Sequence, residues 1–553
     1  MTTRELGDFQ TPPALIRLIL HRLGPIGNRW NRVLEPTCGR GNFIRELVRS
    51  ENPPREIAGI ELQEHYYREA RLISGGKPTR VNILKKDIFK TNLSKDVKWS
   101  TQGPLLIIGN PPWVTNAEIG ALNGSNLPLK SNFKGLRGIN AITGGSNFDI
   151  AEYIWLKLIR EFGPEKATIA LLCKTSVARN VLQFAERARL TVADSVMWRI
   201  DVRKWFGVSA DACLFKVETG KIPSVYESRV YPDLKSSSVA RNIGFVDGRP
   251  VSDMKTYRLV SLVEGRCQLE WRQGIKHDAA RVMELVSKGN GWLNGYNEKV
   301  KVEPVYVFPL VKGADIGRGK SPFPTRAVIV PQRKAGEDTR PLRHLAPKLW
   351  AYLNRHRLAF DSRKSSVYRN KPRFSVFGVG EYAFSPYKVL VSGLSKTPRF
   401  VAVGTLKSKP LFCDDTCYLL PCRTALQAAT IATLLNTPLA QRFLHSITFP
   451  DSKRPITKAV LSRIDLFALA RETPVHDVIA DIEVALHTME NAPKEKHTKG
   501  KDAVAMLELN EDKTQYWLVG DRAARSCQPN PAASDSPHRK QKASRKKPRK
   551  KRT

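Results

Sequence analysis

From Arg32 to about Glu218, short apolar runs alternate with amphipathic segments, and four polar residues fall at or just past strand-like runs at intervals of about 25: Glu35, Glu61, Asp87 and Asn110. No other feature of the chain narrows its fold so far. The runs Val33–Leu34, Ile57–Ile60, Leu105–Ile108, Ala167–Leu172 and Ala212–Phe215 have the length of strands and are apolar enough to be covered on both faces. Phe43–Arg49 and Ile150–Phe162 read as helices between them. Short strands alternating with helices predict an α/β fold with a parallel sheet. Each interval fits one strand–helix unit, so the four polar residues share the edge formed by the C-terminal ends of neighbouring strands. Open α/β sheets bind their ligands along that edge.

Charge gives a separate constraint. The 91 Lys and Arg against 52 Asp and Glu leave a net charge of +39. A field of that size attracts polyanions, of which nucleic acid is the commonest. A solubilising surface or an anionic membrane is the alternative, but no strongly amphipathic basic helix stands out. The chain has neither a long uninterrupted apolar run nor a signal-peptide pattern at Met1–Glu5, so no membrane association and a cytoplasmic location are expected. Cys413, Cys417 and Cys422 lie close together, in and just after an alternating stretch, Leu411–Leu420, that reads as strands. Without a paired C-x-x-C spacing they are expected to be buried thiols. The ten histidines show no ligand or triad spacing either, and no metal site is expected.

The polar residues become informative in their local contexts. Glu35-Pro36-Thr37-Cys38-Gly39-Arg40-Gly41 joins a strand to a helix, and Gly39 and Gly41 allow the backbone close to a ligand. This is not a G-x-G-x-x-G loop and no Walker lysine follows, so phosphate is a poor fit, whereas Glu35 suits an amino-acid ammonium. Glu61 ends the next strand as carboxylates that bind both ribose hydroxyls do. Asp87 offers an acceptor to an exocyclic amine, with Ile88 and Phe89 as apolar neighbours for an adenine ring. Taken in order, these residues describe a nucleoside carrying an amino acid. Ile107-Ile108-Gly109-Asn110-Pro111-Pro112-Trp113 adds the chemistry. The lone pair of an adenine amino group is delocalised into its ring. The Asn110 carboxamide oxygen and the Pro111 carbonyl can each accept one of its N–H bonds, which draws the nitrogen toward tetrahedral geometry. Pro112 stiffens the turn and Trp113 supplies a stacking face.

Asn-Pro-Pro-aromatic, preceded by the Glu35, Glu61 and Asp87 segments, resembles the γ-class, TaqI-like N6-adenine DNA methyltransferases over about residues 7–218. The resemblance implies a Rossmann-like class I methyltransferase sheet and S-adenosyl-L-methionine as cofactor. It implies that Thr11, Glu35, Pro36, Gly39, Gly41, Glu61, Asp87 and Ile88 bind that cofactor, and that Asn110, Pro111, Pro112 and Trp113 form the catalytic loop. The family's later stacking aromatic matches Phe206, with Trp205 as an adjacent alternative. Thr11 also reads independently as a helix N-cap, with Pro12 at the first helical position.

The expected organisation is a catalytic domain over 1–220, an α+β target-recognition domain over 221–475, and a polar linker with a disordered basic tail over 476–553. Arg355-His356-Arg357, Arg363-Lys364 and Tyr368–Arg373 form the densest basic-aromatic patch of the second region, whose expected partner is duplex DNA. The Gly- and Asn-rich stretch Val114–Asn147 is a further candidate for covering cofactor or DNA. A monomer is expected in a prokaryotic cytoplasm, at the nucleoid, with a separate restriction endonuclease as a candidate partner. The cofactor segment begins by Phe9, so a nuclease fused ahead of it is not expected. The rival readings are an RNA N6-adenine methyltransferase, a protein glutamine methyltransferase and a nonenzymatic DNA-binding protein on a degenerate methyltransferase fold.

Overall fold

The computed structural model describes residues 10–76, 79–114, 149–220, 224–289, 291–317 and 325–473. Packing divides the chain into Met1–Glu495 and Lys496–Thr553, and every described residue belongs to the first unit. The stretch 115–148 and the basic tail lie outside the described residues.

Ten strands form the first sheet: β1 (Arg32–Glu35), β2 (Glu56–Glu61), β3 (Arg80–Lys85), β4 (Leu105–Gly109), β5 (Thr168–Lys174), β6 (Asp194–Asp201), β7 (Asp211–Glu218), β8 (Ser228–Tyr231), β9 (Arg241–Val246) and β10 (Arg249–Val251). Their spatial order is β10-β9-β8-β6-β7-β5-β4-β1-β2-β3. The pairs β1–β2, β2–β3, β1–β4 and β4–β5 are parallel, and β7 runs antiparallel between β5 and β6. The chain steps outward from β1 to β2 and β3, then returns to place β4 on the other side of β1. That reversal leaves a crevice at the ends of β1 and β4, where ligands bind in such sheets. Three strands that follow residue 220, β8 to β10, continue the same sheet.

Alternate residues of the central strands enter two separate cores. Val33, Ile57, Leu106 and Ile108 pack with α1 (Pro13–Leu23) and α2 (Asn42–Val48). Leu34, Ala58, Ile107 and Ile169 pack with α3 (Ile150–Phe162) and α4 (Thr175–Arg187). Burial on both faces is why these strands read as unbroken apolar runs.

Helix α1 starts one residue later than expected. Its N-cap is Pro12, at φ −62° and ψ 137°, with Pro13 in the first turn and no side-chain cap. A proline excludes the helical region for the residue before it, so Pro13 forces Pro12 to stay extended and Thr11 falls outside the cap position.

The second region is α+β. A four-stranded sheet with Tyr387–Ser392 and Cys417–Cys422 at its centre is covered by the helices Ala425–Leu435 and Pro438–Ile447. A six-stranded sheet packs against the helix Pro347–Arg355. Cys413, Cys417 and Cys422 are buried in these sheets. Among the described residues, no helix is long and apolar enough to cross a membrane, and no group of His, Cys, Asp and Glu is placed to hold a metal.

Candidate active site

The turn after β1 is shaped by contacts to the end of β2. Gly39 N–H donates to Glu61 Oε2 at 2.8 Å, and Gln63 N–H donates to Glu61 Oε1 at 2.7 Å. Gly39 and Gly41 take left-handed φ values of 52° and 76°. A Cβ on Gly39 would come within 2.8 Å of the Gln10 side chain, and one on Gly41 within 2.4 Å of Ile73 Cδ1. The left-handed backbone favours glycine at both positions, while the atoms met are the ends of flexible side chains.

Glu35 is 3% exposed, and its Oε2 is buried without a hydrogen-bond partner. Burial, followed by the negative charge of Glu61, pushes its carboxyl well above the usual range. The Thr37 hydroxyl on the same connection is also buried and unpartnered. Buried polar atoms are nearly always bonded, so two orphaned acceptors on one turn fit a polar group that this turn is built to take. A cationic ammonium would satisfy Glu35 and bring its pKa back down.

The remaining cofactor candidates lie along the same edge. Thr11 is buried, and its carbonyl accepts from Asn42 Nδ2 at 3.1 Å, tying the N-terminal segment to the first turn of α2. Pro36 and Ile88 are buried, and Asp87 Oδ1 accepts from Phe89 N–H at 2.9 Å. The Phe89 ring meets Tyr153 edge-on at 5.5 Å. Tyr153 escapes sequence reasoning, because only the tertiary fold brings it to Phe89.

The Asn110–Trp113 segment leaves β4 beside Glu35. A Cβ on Gly109 would lie 3.3 Å from Glu35 Cγ, so the two strand ends almost touch. Pro111 is buried, while Pro112 and Trp113 are half-buried. Trp113 Nε1 donates to the Leu172 carbonyl at 3.4 Å, and its ring meets Phe206 edge-on at 5.7 Å between centroids. Trp205 instead lies under the Lys204 ammonium, 4.9 Å from its ring centroid. Of the two adjacent aromatics, Phe206 is the one paired with Trp113.

The basic patch of the second region divides in two. Arg355, Arg357, Lys364, Arg369, Lys371 and Arg373 are exposed. Arg363 is committed to the scaffold: its guanidinium donates to the carbonyls of Phe360, His277, Ser375 and Arg373 and lies 3.6 Å from the Tyr368 ring centroid.

No protein-family model matches this chain. It is 39% identical over 474 residues to the Type II methyltransferase M.NspV of Nostoc sp., across 85% of this chain and 98% of the relative. It is also similar to the solved structure of the Type IIL restriction-modification enzyme MmeI in complex with DNA, with a TM-score of 0.53 and 13% identity over 95% of this chain and 76% of that one. The second likeness concerns fold alone. The first covers nearly the whole length of that relative, and this chain belongs to the Type II methyltransferases.

Proposed function

We propose that this methyltransferase transfers a methyl group from S-adenosyl-L-methionine to the N6 amino nitrogen of adenine in duplex DNA, as the γ-class resemblance implies. One observation carries the reading. The loop suited to accept the hydrogens of an aromatic amine leaves β4 against the buried, unsatisfied carboxylate suited to an ammonium. A ligand with an amino-acid end at Glu35 therefore has its remaining length along β1 to β3, toward Glu61 and Asp87. When bound, the cofactor supplies an electrophilic methyl on a sulfonium.

The protein's own residues do the rest. Asn110 and the Pro111 carbonyl accept the two amino hydrogens, which withdraws the nitrogen lone pair from the ring. Trp113 and Phe206 hold the base, which must leave the duplex stack to reach them. Glu61 and Asp87 set the nucleoside. Residues 221–475 carry target recognition, and their exposed basic residues hold the phosphates and so fix the register on the duplex. A role in restriction-modification is consistent with the DNA-bound restriction-modification enzyme that shares the fold.

The test is methyl incorporation from labelled cofactor into duplex DNA, RNA and a protein extract, followed by nucleoside analysis. N6-methyladenine from duplex DNA is expected. Equal or better incorporation into RNA or protein overturns the reading.

A further inference from the structure

Strand β5 runs beside β4 and ends at Lys174, next to the catalytic loop. The Lys174 ammonium donates to the main-chain carbonyl of Trp113 at 3.1 Å and to Asp149 Oδ2 at 2.9 Å. Trp113 is thus held twice by one strand, through its indole N–H on Leu172 and its carbonyl on Lys174. Asp149 is itself fixed, because its Oδ1 caps α3 by accepting from Ala151 N–H at 3.0 Å. Next to this cap, Ile150 N–H donates to the Val114 carbonyl at 3.0 Å.

The residues after Lys174 are anchored from the second region. Thr175 Oγ1 and Arg179 both donate to Asp451 Oδ2, and the Arg179 guanidinium lies over Phe449 at 4.4 Å. The Asp451 side chain is only 5% exposed. Lys174 therefore projects from a junction fixed on both sides, and its ammonium is the one cation on the Trp113 carbonyl among the described residues.

We infer that Lys174 is a positioning residue for methyl transfer, setting the orientation of Trp113 and of the Asn110–Trp113 loop without touching substrate. The inference rests on the reading of that loop as catalytic. A charge-assisted bond to a carbonyl limits where the ring can stack, and a displacement of about 1 Å in a reacting loop can cost about 100-fold in rate.

Lys174→Met keeps the length of the side chain and removes its charge. Its kcat on unmethylated duplex DNA is expected to fall about 100-fold. Dissociation constants for S-adenosylmethionine and DNA stay near those of the parent protein, and Lys174→Arg recovers most of the rate. Protein labelled with 5-fluorotryptophan gives a readout that needs no turnover. The Trp113 resonance, assigned by its loss in Trp113→Phe, moves in Lys174→Met and returns toward its original position in Lys174→Arg. If Lys174→Met does not fold, Asp149→Asn keeps an acceptor for the helix cap while loosening the ammonium, and it must move the same resonance. A kcat within about twofold of the parent, or an unmoved Trp113 resonance, overturns the proposal. An unmodified protein that methylates no DNA refutes the proposed function instead, and the fluorine spectrum still decides the role of Lys174.

Discussion

Among the described residues, the two regions of this molecule bury charges of opposite sign. At the edge of the first sheet, Glu35 is sealed in the interior with one oxygen unbonded and Glu61 close enough to raise its pKa. In the second region the buried charged side chains among the described residues are the cations Lys388 and Arg463, each held by hydrogen bonds. Lys388, 1% exposed, donates to the carbonyls of Ser385 and Leu411 at 2.6 and 3.0 Å. Arg463 joins Glu264 at 2.7 Å and the Pro250 carbonyl at 2.8 Å. The half-buried Arg363 also reaches four carbonyls. A buried group with its hydrogen bonds in place offsets much of its desolvation cost, whereas one with bonding capacity to spare carries that cost until a ligand or water supplies the bond. The unbonded oxygen of Glu35 is the observation on which the proposed cofactor site rests.

The sharpest break in the comparison is Asn110→Ala. Loss of one preorganised contact to the reacting group typically costs about 100- to 1000-fold in rate. Turnover should fall by that factor while cofactor and DNA binding persist, as steady-state kinetics beside calorimetry would show. Near-normal turnover removes Asn110 from the chemistry.

Glu61→Ala comes next. It deletes the acceptor for the ribose hydroxyls and also releases the Gly39 and Gln63 amides. A bond to a charged group contributes about 1.5–3 kcal/mol, so cofactor affinity should drop about 10- to 100-fold by calorimetry. Unchanged affinity contradicts the strand-end assignment.

How much of this was legible in the sequence depended on where each partner lies along the chain. Strands β1, β2, β4, β5 and β7 are visible as apolar runs because both faces are covered. Strand β3 is at the sheet edge with a largely exposed pattern, so Arg80–Lys85 does not read as a strand. The placement of the candidate site residues at strand ends follows from local order alone. The Thr11 cap fails by one position because Pro13 acts on Pro12. Arg363 looks like part of a surface patch because one of its carbonyl partners, His277, lies 86 residues away in sequence. Lys174 is hidden for the same reason, since its contact with Trp113 spans 61 residues.

Smaller effects come from protons. Burial lowers the Lys388 pKa to about 8, below the value of about 10.4 for an exposed lysine. Between those values the unfolded chain holds more protons than the folded one, so stability rises with pH across the window, at most by about 1.4 kcal/mol per pH unit. Lys388→Met should flatten that rise in thermal melts from pH 7.5 to 10.5. An identical slope means that Lys388 keeps an ordinary lysine pKa in the folded chain. The opposite sign applies to Glu35, whose carboxyl is raised by burial and then by Glu61. A bound ammonium favours the ionised form, so cofactor binding releases a fraction of a proton and weakens as pH falls. Calorimetry in buffers of different ionisation enthalpy detects the release, and Glu35→Gln should abolish it. Equal release in that variant places the cofactor's ammonium elsewhere.

The most direct measurement is methylation-resolved sequencing of DNA from a host without adenine methylation, expressing either this chain or its Asn110→Ala variant. N6-methyladenine at one recurrent sequence with the unaltered chain, and none with the variant, is the predicted result. Methylation at cytosine, or adenine methylation that survives Asn110→Ala, contradicts the account.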